Sequence, residues 1–116
     1  MEAYEITLCV RHADGSWSAR PIWVVTVTGE SYVRSAFGER SAWYRRARTC
    51  PAALVEAGGA VYEARLDLVE DAGLIDRVSA AYRAKYGPSW PGPAETMTGP
   101  EAAGTTMRLT DVRQVT

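Results

Sequence analysis

The sequence predicts a mainly β fold, a small antiparallel barrel of about six strands with one short and one long helix packed outside it. Three observations favour this class: strand-like segments dominate, hairpin-length turns join most of them, and two segments have helical periodicity. With 116 residues, 47% of them hydrophobic, the chain has the size of one ordinary globular domain. We therefore expect residues 1–116 to form a single domain whose core needs neither disulfides nor a metal.

The first third of the chain predicts a short strand followed by a hairpin. Residues 5–10 are a mixed apolar and polar run, and residues 12–16 have the polar, glycine-containing composition of a turn. Residues 21–27 are nearly continuous in apolar side chains, as in a strand covered on both faces. The turn residues 28–30 then lead into a second strand over residues 31–35, which completes the hairpin.

The middle of the chain predicts a short helix and a second hairpin. After Gly38, Ser41 can cap a short helix that Pro51 ends. Residues 52–57 and 60–68 are predicted to pair through the tight turn formed by two glycines, and the second strand alternates apolar and polar side chains with a period of two.

The last third predicts the long helix, a loop and a closing strand. Residues 71–86 carry one apolar stripe at helical spacing, and glycine and proline follow immediately. Residues 87–104 hold four prolines and four glycines without periodicity, which predicts a structureless loop. Residues 105–110 alternate again and predict a closing strand.

The composition excludes several classes of function. The chain has one histidine and two cysteines, so a zinc site cannot be assembled and free thiols are expected. The first residues carry acid where a signal peptide carries base, and no apolar run approaches the length of a membrane span, so we expect a cytoplasmic protein. Five arginines between residues 34 and 48 form a basic patch, yet the net charge of −1 disfavours nucleic-acid binding.

Several segments in order carry a family resemblance. RPIWVV (20–25), YVRS (32–35) and GERSAWYR (38–45) resemble the core of the split β-barrel flavin- and deazaflavin-dependent oxidoreductases, the pyridoxamine-phosphate-oxidase-like fold, and specifically a compact bacterial branch. The likeness continues through residues 81–86 and 105–109. It implies a homodimer of side-by-side barrels with FMN or a deazaflavin in a groove between the subunits. The turn at 12–17 differs from that of many deazaflavin-using relatives, so FMN, a deazaflavin and no cofactor all stay open.

The resemblance places the cofactor along two segments of this chain. It implies that the strand matching residues 22–25 lies along the ring system and that the segment matching 34–44 holds the phosphate-bearing tail. The residue types agree, because two serine hydroxyls, backbone amides near a glycine and an arginine can form an anion cradle. The predicted cofactor-binding residues are Ile22, Trp23, Val24, Arg34, Ser35, Gly38, Arg40, Ser41, Trp43 and Tyr44.

Each candidate also has a structural interpretation. Trp43 can serve as a core anchor of its helix, and Tyr82 belongs to the apolar stripe of the long helix. Arg34 lies on a strand, where its charge is expected either to reach solvent or to find an anion. His12, in a polar turn, is expected to be solvated, and both cysteines are expected to pack as small apolar groups.

The leading functional hypothesis is hydride transfer from a reduced flavin or deazaflavin to a small electron-poor substrate, such as a quinone, enone or nitro compound. Tyr44 and Tyr86 are the predicted catalytic residues, which would protonate or orient the product. The predicted substrate pocket consists of Trp23, Tyr82, Tyr86 and Trp90. One alternative is a cofactor-free barrel that binds or transforms a hydrophobic small molecule, for example in secondary metabolism. A remote alternative is a module for single-stranded nucleic acid.

Overall fold

The computed structural model describes residues 4–115. Its strands are β1 (Glu5–Arg11), β2 (Trp17–Trp23), β3 (Val25–Val27), β4 (Glu30–Val33), β5 (Ala52–Ala57), β6 (Ala60–Leu68) and β7 (Met107–Gln114). Its helices are a 3₁₀ turn (Gly38–Arg40), α1 (Ala42–Thr49), α2 (Ala72–Tyr86), α3 (Pro91–Thr98) and α4 (Pro100–Ala103). The predicted mainly β barrel with outer helices is confirmed, with seven strands rather than six.

The strands form one antiparallel sheet that curls into a half-barrel. Within the described residues the strand order is β2-β1-β5-β6-β7-β4-β3. The two edge strands, β2 and β3, are consecutive in sequence and are separated only by Val24. Because the chain passes directly from one edge of the sheet to the other, the sheet has to curl until its edges approach each other.

The seventh strand arises from a break in a segment predicted as one strand. Residues 21–27 divide at Val24, whose backbone polar groups bond to helix α2 instead of continuing the sheet. The N–H of Val24 donates to the hydroxyl of Tyr86, and its carbonyl oxygen accepts from Tyr86 and from Lys85. Side chains of α2 thus take the place of the neighbouring strand that would otherwise bond to the backbone of Val24.

Both predicted hairpins are confirmed. In the β3–β4 hairpin, Val27 pairs with Glu30 across Thr28 and Gly29, whose φ angles are 52° and 80°. In the β5–β6 hairpin, Ala57 pairs with Ala60 across two glycines with φ angles of 58° and 83°. Left-handed backbone at both central positions matches the twist of paired strands, which is why glycine suits these turns.

The long helix α2 is also confirmed. Asp71 caps it, because its carboxylate accepts from the N–H of Leu74 at 2.7 Å. The predicted stripe is buried at Leu74, Val78 and Tyr82, and Gly87 follows the last helical residue.

The segment 87–104, predicted as a structureless loop, instead contains helices α3 and α4. Pro91 and Pro100 are the first residues of these helices. The N–H of a first helical residue forms no hydrogen bond within the helix, so proline, which lacks this N–H, is tolerated there. Ala94, Met97 and Ala102 are buried, so packing holds the two short helices against the body of the protein. The prolines therefore begin helices here rather than interrupting structure.

Two groups of buried residues form the core. The first fills the barrel beneath α1 and includes Leu8, Val33, Trp43, Val55 and Leu109. The second lies between β3, β4, α2 and α3 and includes Val25, Tyr32, Val78, Tyr82 and Met97. In the part of the chain that the structure describes, no helix is long and apolar enough to cross a membrane.

Candidate functional site

A groove of about 480 Å³ runs between β2, the segment that follows β4, and helix α3. Small-molecule sites generally measure about 300–1,000 Å³, so the groove can hold a ligand of cofactor size. Six of the ten predicted cofactor-binding residues line it: Ile22, Trp23, Arg34, Ser35, Ser41 and Trp43. We call it the β2 groove. Three separate stretches of sequence meet there because β2 and the β4–α1 connection border the same face of the curled sheet.

The other four predicted cofactor-binding residues lie outside the β2 groove. Val24 is fully buried at the break between β2 and β3, and Tyr44 is inside the barrel core with its hydroxyl accepting from Arg48. Arg40 is highly exposed and its guanidinium lies 3.6 Å from the carboxylate of Glu101. Gly38 is covered by the same glutamate. The anion cradle predicted around Gly38 and Arg40 therefore does not open onto the groove.

The hydroxyl of Ser35 is the most informative polar group on the β2 groove. Ser35 is 1% exposed, and among residues 4–115 its Oγ has no hydrogen-bond partner. A buried hydroxyl without a partner costs free energy, so such groups mark places where a ligand or a water molecule completes the structure. The backbone N–H of Ser35 is fixed by the side chain of Thr105 at 2.8 Å, which holds the residue in place.

A second free polar group lies at the start of helix α1. Ser41 occupies the N-cap position, as predicted, but its side chain makes no capping hydrogen bond. The first-turn N–H groups of an α-helix lack intrahelical partners and carry partial positive charge. Ser41 lines the same groove as Ser35.

Arg34 is buried beneath the groove and bonds to neutral acceptors. Its Nε donates to Thr106, its Nη1 to Ser79 and to the carbonyl of Met97, and its Nη2 to the carbonyl of Ile75, at 2.8–3.0 Å. The side chain is 0% exposed, and burial lowers the pKa of its guanidinium. Its charge does not reach solvent, because groups from distant segments surround it. A role toward an anionic ligand stays a prediction, since Arg34 also lines the β2 groove. Four of its five N–H donors are already used within the fold.

The predicted substrate pocket is a packed aromatic cluster. The rings of Trp23 and Tyr86 stack with centroids 3.9 Å apart, and Trp90 lies 5.9 Å from Trp23. Tyr82 and Tyr86 are fully buried, so of these four residues Trp23 alone lines the β2 groove in the described structure. The four side chains are thus neighbours, as predicted, with Trp90 44% exposed at the edge of the cluster.

The two predicted catalytic tyrosines have no access to the groove. The Tyr86 hydroxyl lies 2.6 Å from the carbonyl oxygen of Tyr4 and 2.8 Å from that of Val24, and burial raises its pKa to about 12. Tyr44 faces the barrel core. Burial also raises the pKa of Tyr82, although the guanidinium of Arg34, 5.3 Å from the ring centroid, opposes this. The Tyr86 hydroxyl thus joins α2 to distant backbone, whereas the buried Tyr82 hydroxyl has no hydrogen-bond partner among the described residues. None of these three tyrosines lines the β2 groove.

Sequence reasoning missed several residues of the groove. Arg20 and Phe37 adjoin predicted residues, so their positions could have been inferred from the neighbouring motif. Thr96 and Met97 come from α3, which was predicted as a loop, and no local pattern joins them to β2. In residues 4–115, no group of three or more histidine, cysteine or acidic side chains could hold a metal.

The family model of DUF2255, described as uncharacterized proteins conserved in bacteria, matches residues 1–109. The chain belongs to the DUF2255 family. No curated protein is significantly similar to it in sequence.

Solved structures similar to this DUF2255 chain are split barrels of the pyridoxamine-phosphate-oxidase-like type. An F420-H2-dependent reductase is 16% identical, with a TM-score of 0.66 over 91% of this chain and 93% of that chain. A putative pyridoxamine 5′-phosphate oxidase from Listeria innocua is 15% identical, with a TM-score of 0.61 over 98% of this chain and 90% of that chain. The heme storage protein HutZ from Vibrio cholerae is 16% identical, with a TM-score of 0.67 over 97% of this chain and 81% of that chain. At these identities the likeness establishes the split-barrel fold of the DUF2255 chain.

Proposed function

We propose that this DUF2255 protein is a flavin- or deazaflavin-dependent oxidoreductase whose cofactor binds in the β2 groove. The observation that carries the proposal is the buried, unpartnered hydroxyl of Ser35 on a groove with aromatic walls. The F420-dependent reductase among the similar structures supports the same class. The substrate class that follows is a small electron-poor molecule, such as a quinone, an enone or a nitro compound.

The residues of the groove suit a flat aromatic group that carries a phosphate tail. Trp23, Trp43 and Ile22 supply apolar walls, and Trp23 is held in place by its stacking on Tyr86. Ser35 and Ser41 line the same groove and have hydroxyls without hydrogen bonds to described residues, which can serve as neutral donors. Backbone N–H groups at a helix N-terminus, together with hydroxyls, are a common phosphate site.

A bound flavin or deazaflavin would supply the hydride-transfer chemistry. The chain's own contribution is to orient the ring against β2, to exclude water with apolar side chains, and to hold the tail at Ser35 and Ser41. Arg34 contributes indirectly, because its bond to the carbonyl of Met97 fixes α3 as the opposite wall. The proposal assigns no proton transfer to Tyr44 and Tyr86, because both side chains are buried and neither lines the groove.

The active form we propose is a homodimer. Phe37 is 70% exposed on the β2 groove, and a large apolar side chain in that position is suited to contact with a second copy. A groove closed by a partner subunit would shield the reaction from water. A solution mass equal to the 12.7 kDa of one chain would contradict this arrangement.

The proposal is tested by titrating the purified protein with FMN and with F420 while the visible absorption and the cofactor fluorescence are recorded. We expect saturable binding of one of them, weakened about tenfold by Ser35→Ala or Ser41→Ala. Ser89→Ala, an exposed serine outside the groove, is the matched control and should leave binding unchanged. If the folded protein binds neither cofactor, the proposal is wrong.

A second candidate is a cofactor-free groove that binds a hydrophobic small molecule. The observation favouring it is that Arg40 pairs with Glu101 instead of adding its charge to the groove. Under this alternative an apolar dye would bind, Trp23→Ala would abolish its binding, and neither FMN nor F420 would displace it. Heme is less suited to the β2 groove, because the single histidine of the chain, His12, lies on a different cleft.

A further inference from the structure

A second cleft, also of about 480 Å³, lies between the β1–β2 turn and helix α1. Its polar and ionisable lining consists of Arg11, His12, Arg45, Arg46, Thr49 and Cys50. We call it the arginine cleft. No residue lines both this cleft and the β2 groove. Helix α1 separates the two, since Ser41 and Trp43 face the groove while Arg45, Arg46 and Thr49 face the cleft.

The charge of the arginine cleft is unbalanced. Three arginine residues line it and no acidic residue does, although the whole chain has a net charge of −1. Among residues 4–115, Arg11, Arg45 and Arg46 form no ion pair that would neutralise their charge. Cations that converge without a counter-charge repel one another, and a bound anion relieves that repulsion.

One wall of the cleft comes from the end of β1 and the turn that follows it. Arg11 ends β1, and its guanidinium lies 6.0 Å from the ring centroid of Trp17. The adjoining turn is closed by a backbone bond from His12 to Ser16 at 2.8 Å. The nearby carboxylate, Asp14, is held by the N–H and hydroxyl of Ser16 at 2.9 and 2.6 Å, which lower its pKa. It is therefore occupied within the turn and does not line the cleft.

The opposite wall comes from α1. Arg45 and Thr49 are one helical turn apart, and the hydroxyl of Thr49 donates to the carbonyl of Arg45 at 3.3 Å. The helix is anchored by Trp43 and Ala47, which are buried in the barrel core. The arginines of the cleft thus extend from a strand end and a packed helix, so the backbone on both sides is already ordered before a ligand binds.

We propose that the arginine cleft binds the phosphate or pyrophosphate group of a small molecule, separately from any ligand of the β2 groove. Guanidinium groups match the geometry of phosphate oxygens through paired N–H donors, and Arg11, Arg45 and Arg46 come from two elements that flank the cleft. The ring of His12 belongs to the same lining and adds a further N–H donor. The limited volume and the net negative charge of the chain favour a compact anion over a nucleic-acid strand.

The test uses inorganic pyrophosphate as the probe on the full chain, with binding followed by isothermal titration calorimetry and by ³¹P NMR. We expect one saturable site per chain, weakened at least tenfold in an Arg45→Gln/Arg46→Gln variant and in Arg11→Gln. Arg77→Gln removes an exposed arginine of α2, far along the chain from the cleft, and should retain the affinity. Far-UV circular dichroism and a thermal melt confirm that each variant is folded.

Three outcomes would overturn the proposal. The folded protein could fail to bind pyrophosphate at low salt, or Arg77→Gln could weaken binding as much as the cleft variants, which would show unspecific attraction. A single-stranded oligonucleotide could also displace pyrophosphate at far lower concentration, which would identify a nucleic-acid surface instead. Flavin binding in the β2 groove should be unchanged in the Arg45→Gln/Arg46→Gln variant, so failure of one site does not imply failure of the other.

Discussion

The hydroxyl of Tyr86 occupies the break between β2 and β3, where it accepts a hydrogen bond from the N–H of Val24 at 3.1 Å and lies 2.8 Å from the carbonyl oxygen of the same residue. Two side chains of α2, Tyr86 at the N–H and Lys85 at the carbonyl oxygen, thereby satisfy both backbone groups of the residue at which the chain leaves one edge of the sheet for the other. The ring stacks on Trp23, so the same tyrosine also supports a wall of the β2 groove.

Removal of this hydroxyl should destabilise the protein without disturbing the stacking. Tyr86→Phe leaves the buried N–H of Val24 without its partner, which should lower the free energy of unfolding by about 1–3 kcal/mol. Urea denaturation measures the change. Tyr62→Phe is the matched control, because Tyr62 is half-buried and its hydroxyl has no hydrogen bond to any described residue. Equal stability of the two variants would contradict the role assigned to Tyr86.

The raised pKa of Tyr86 predicts a loss of stability at high pH. Its ordinary value is 10.0 and burial raises it to about 12 in the folded protein. Between these values the unfolded chain loses the proton while the folded chain keeps it, so the free energy of unfolding falls as the pH rises from 10 towards 12. One such group contributes up to about 1.4 kcal/mol per pH unit. In urea melts at pH 8, 10 and 11, the decline should be shallower for Tyr86→Phe than for the wild type, and unchanged for Tyr62→Phe.

Arg34 should act mainly on stability. Arg34→Met leaves four acceptors without their donor and should lower the free energy of unfolding by about 3–5 kcal/mol. Arg65→Met, at a half-exposed arginine 3.8 Å from Asp67, should cost less than about 1 kcal/mol. Denaturant midpoints distinguish them. A stable Arg34→Met protein that has lost cofactor binding would instead show that Arg34 is a ligand.

Gly38 should be sensitive to the smallest substitution. Its φ of +65° is in the left-handed region, and a Cβ atom would lie 3.3 Å from the Cβ of Glu101. Gly38→Ala should therefore lower the free energy of unfolding by about 1–2 kcal/mol. Gly92→Ala, in α3 with open space around it, should be neutral or stabilising by up to about 1 kcal/mol. Thermal melts of the two variants compare them directly, and a neutral Gly38→Ala would contradict the assigned strain.

The elements that were predicted correctly are those whose signal is local. The β5–β6 hairpin and α2 follow from alternation, a double-glycine turn and an apolar stripe with a cap at Asp71. The break at Val24 could not be predicted, because the tyrosine that causes it is 62 residues away in sequence. Helix α3 was missed since Pro91 can begin a helix as readily as it can interrupt one.

The residues of the β2 groove were predicted where they lie in segments with a recognisable sequence pattern, and were missed where distant segments bring them together. Trp23, Ser35 and Ser41 reach one groove because the family-like segments border the same face of the sheet. The burial of Arg34 was hidden from the sequence, because its acceptors come from α2, α3 and the residue before β7. The arginine cleft was also missed, since it needs Arg11 and the arginines of α1 to converge across more than thirty residues of sequence.

The position of β7 has a consequence for synthesis on the ribosome. Within the described sheet, β4 pairs with β3 and β7 alone, so the β3–β4 hairpin has no other strand to join until Met107 and the residues after it have been translated. The nascent chain can pair β1, β2, β5 and β6 before β7 is made. The segment after β4, which forms one wall of the β2 groove, can reach its place in the sheet only after β7 has been translated. Closure of the barrel is therefore a late event, and a chain stalled before β7 should expose the apolar faces of both halves to chaperones.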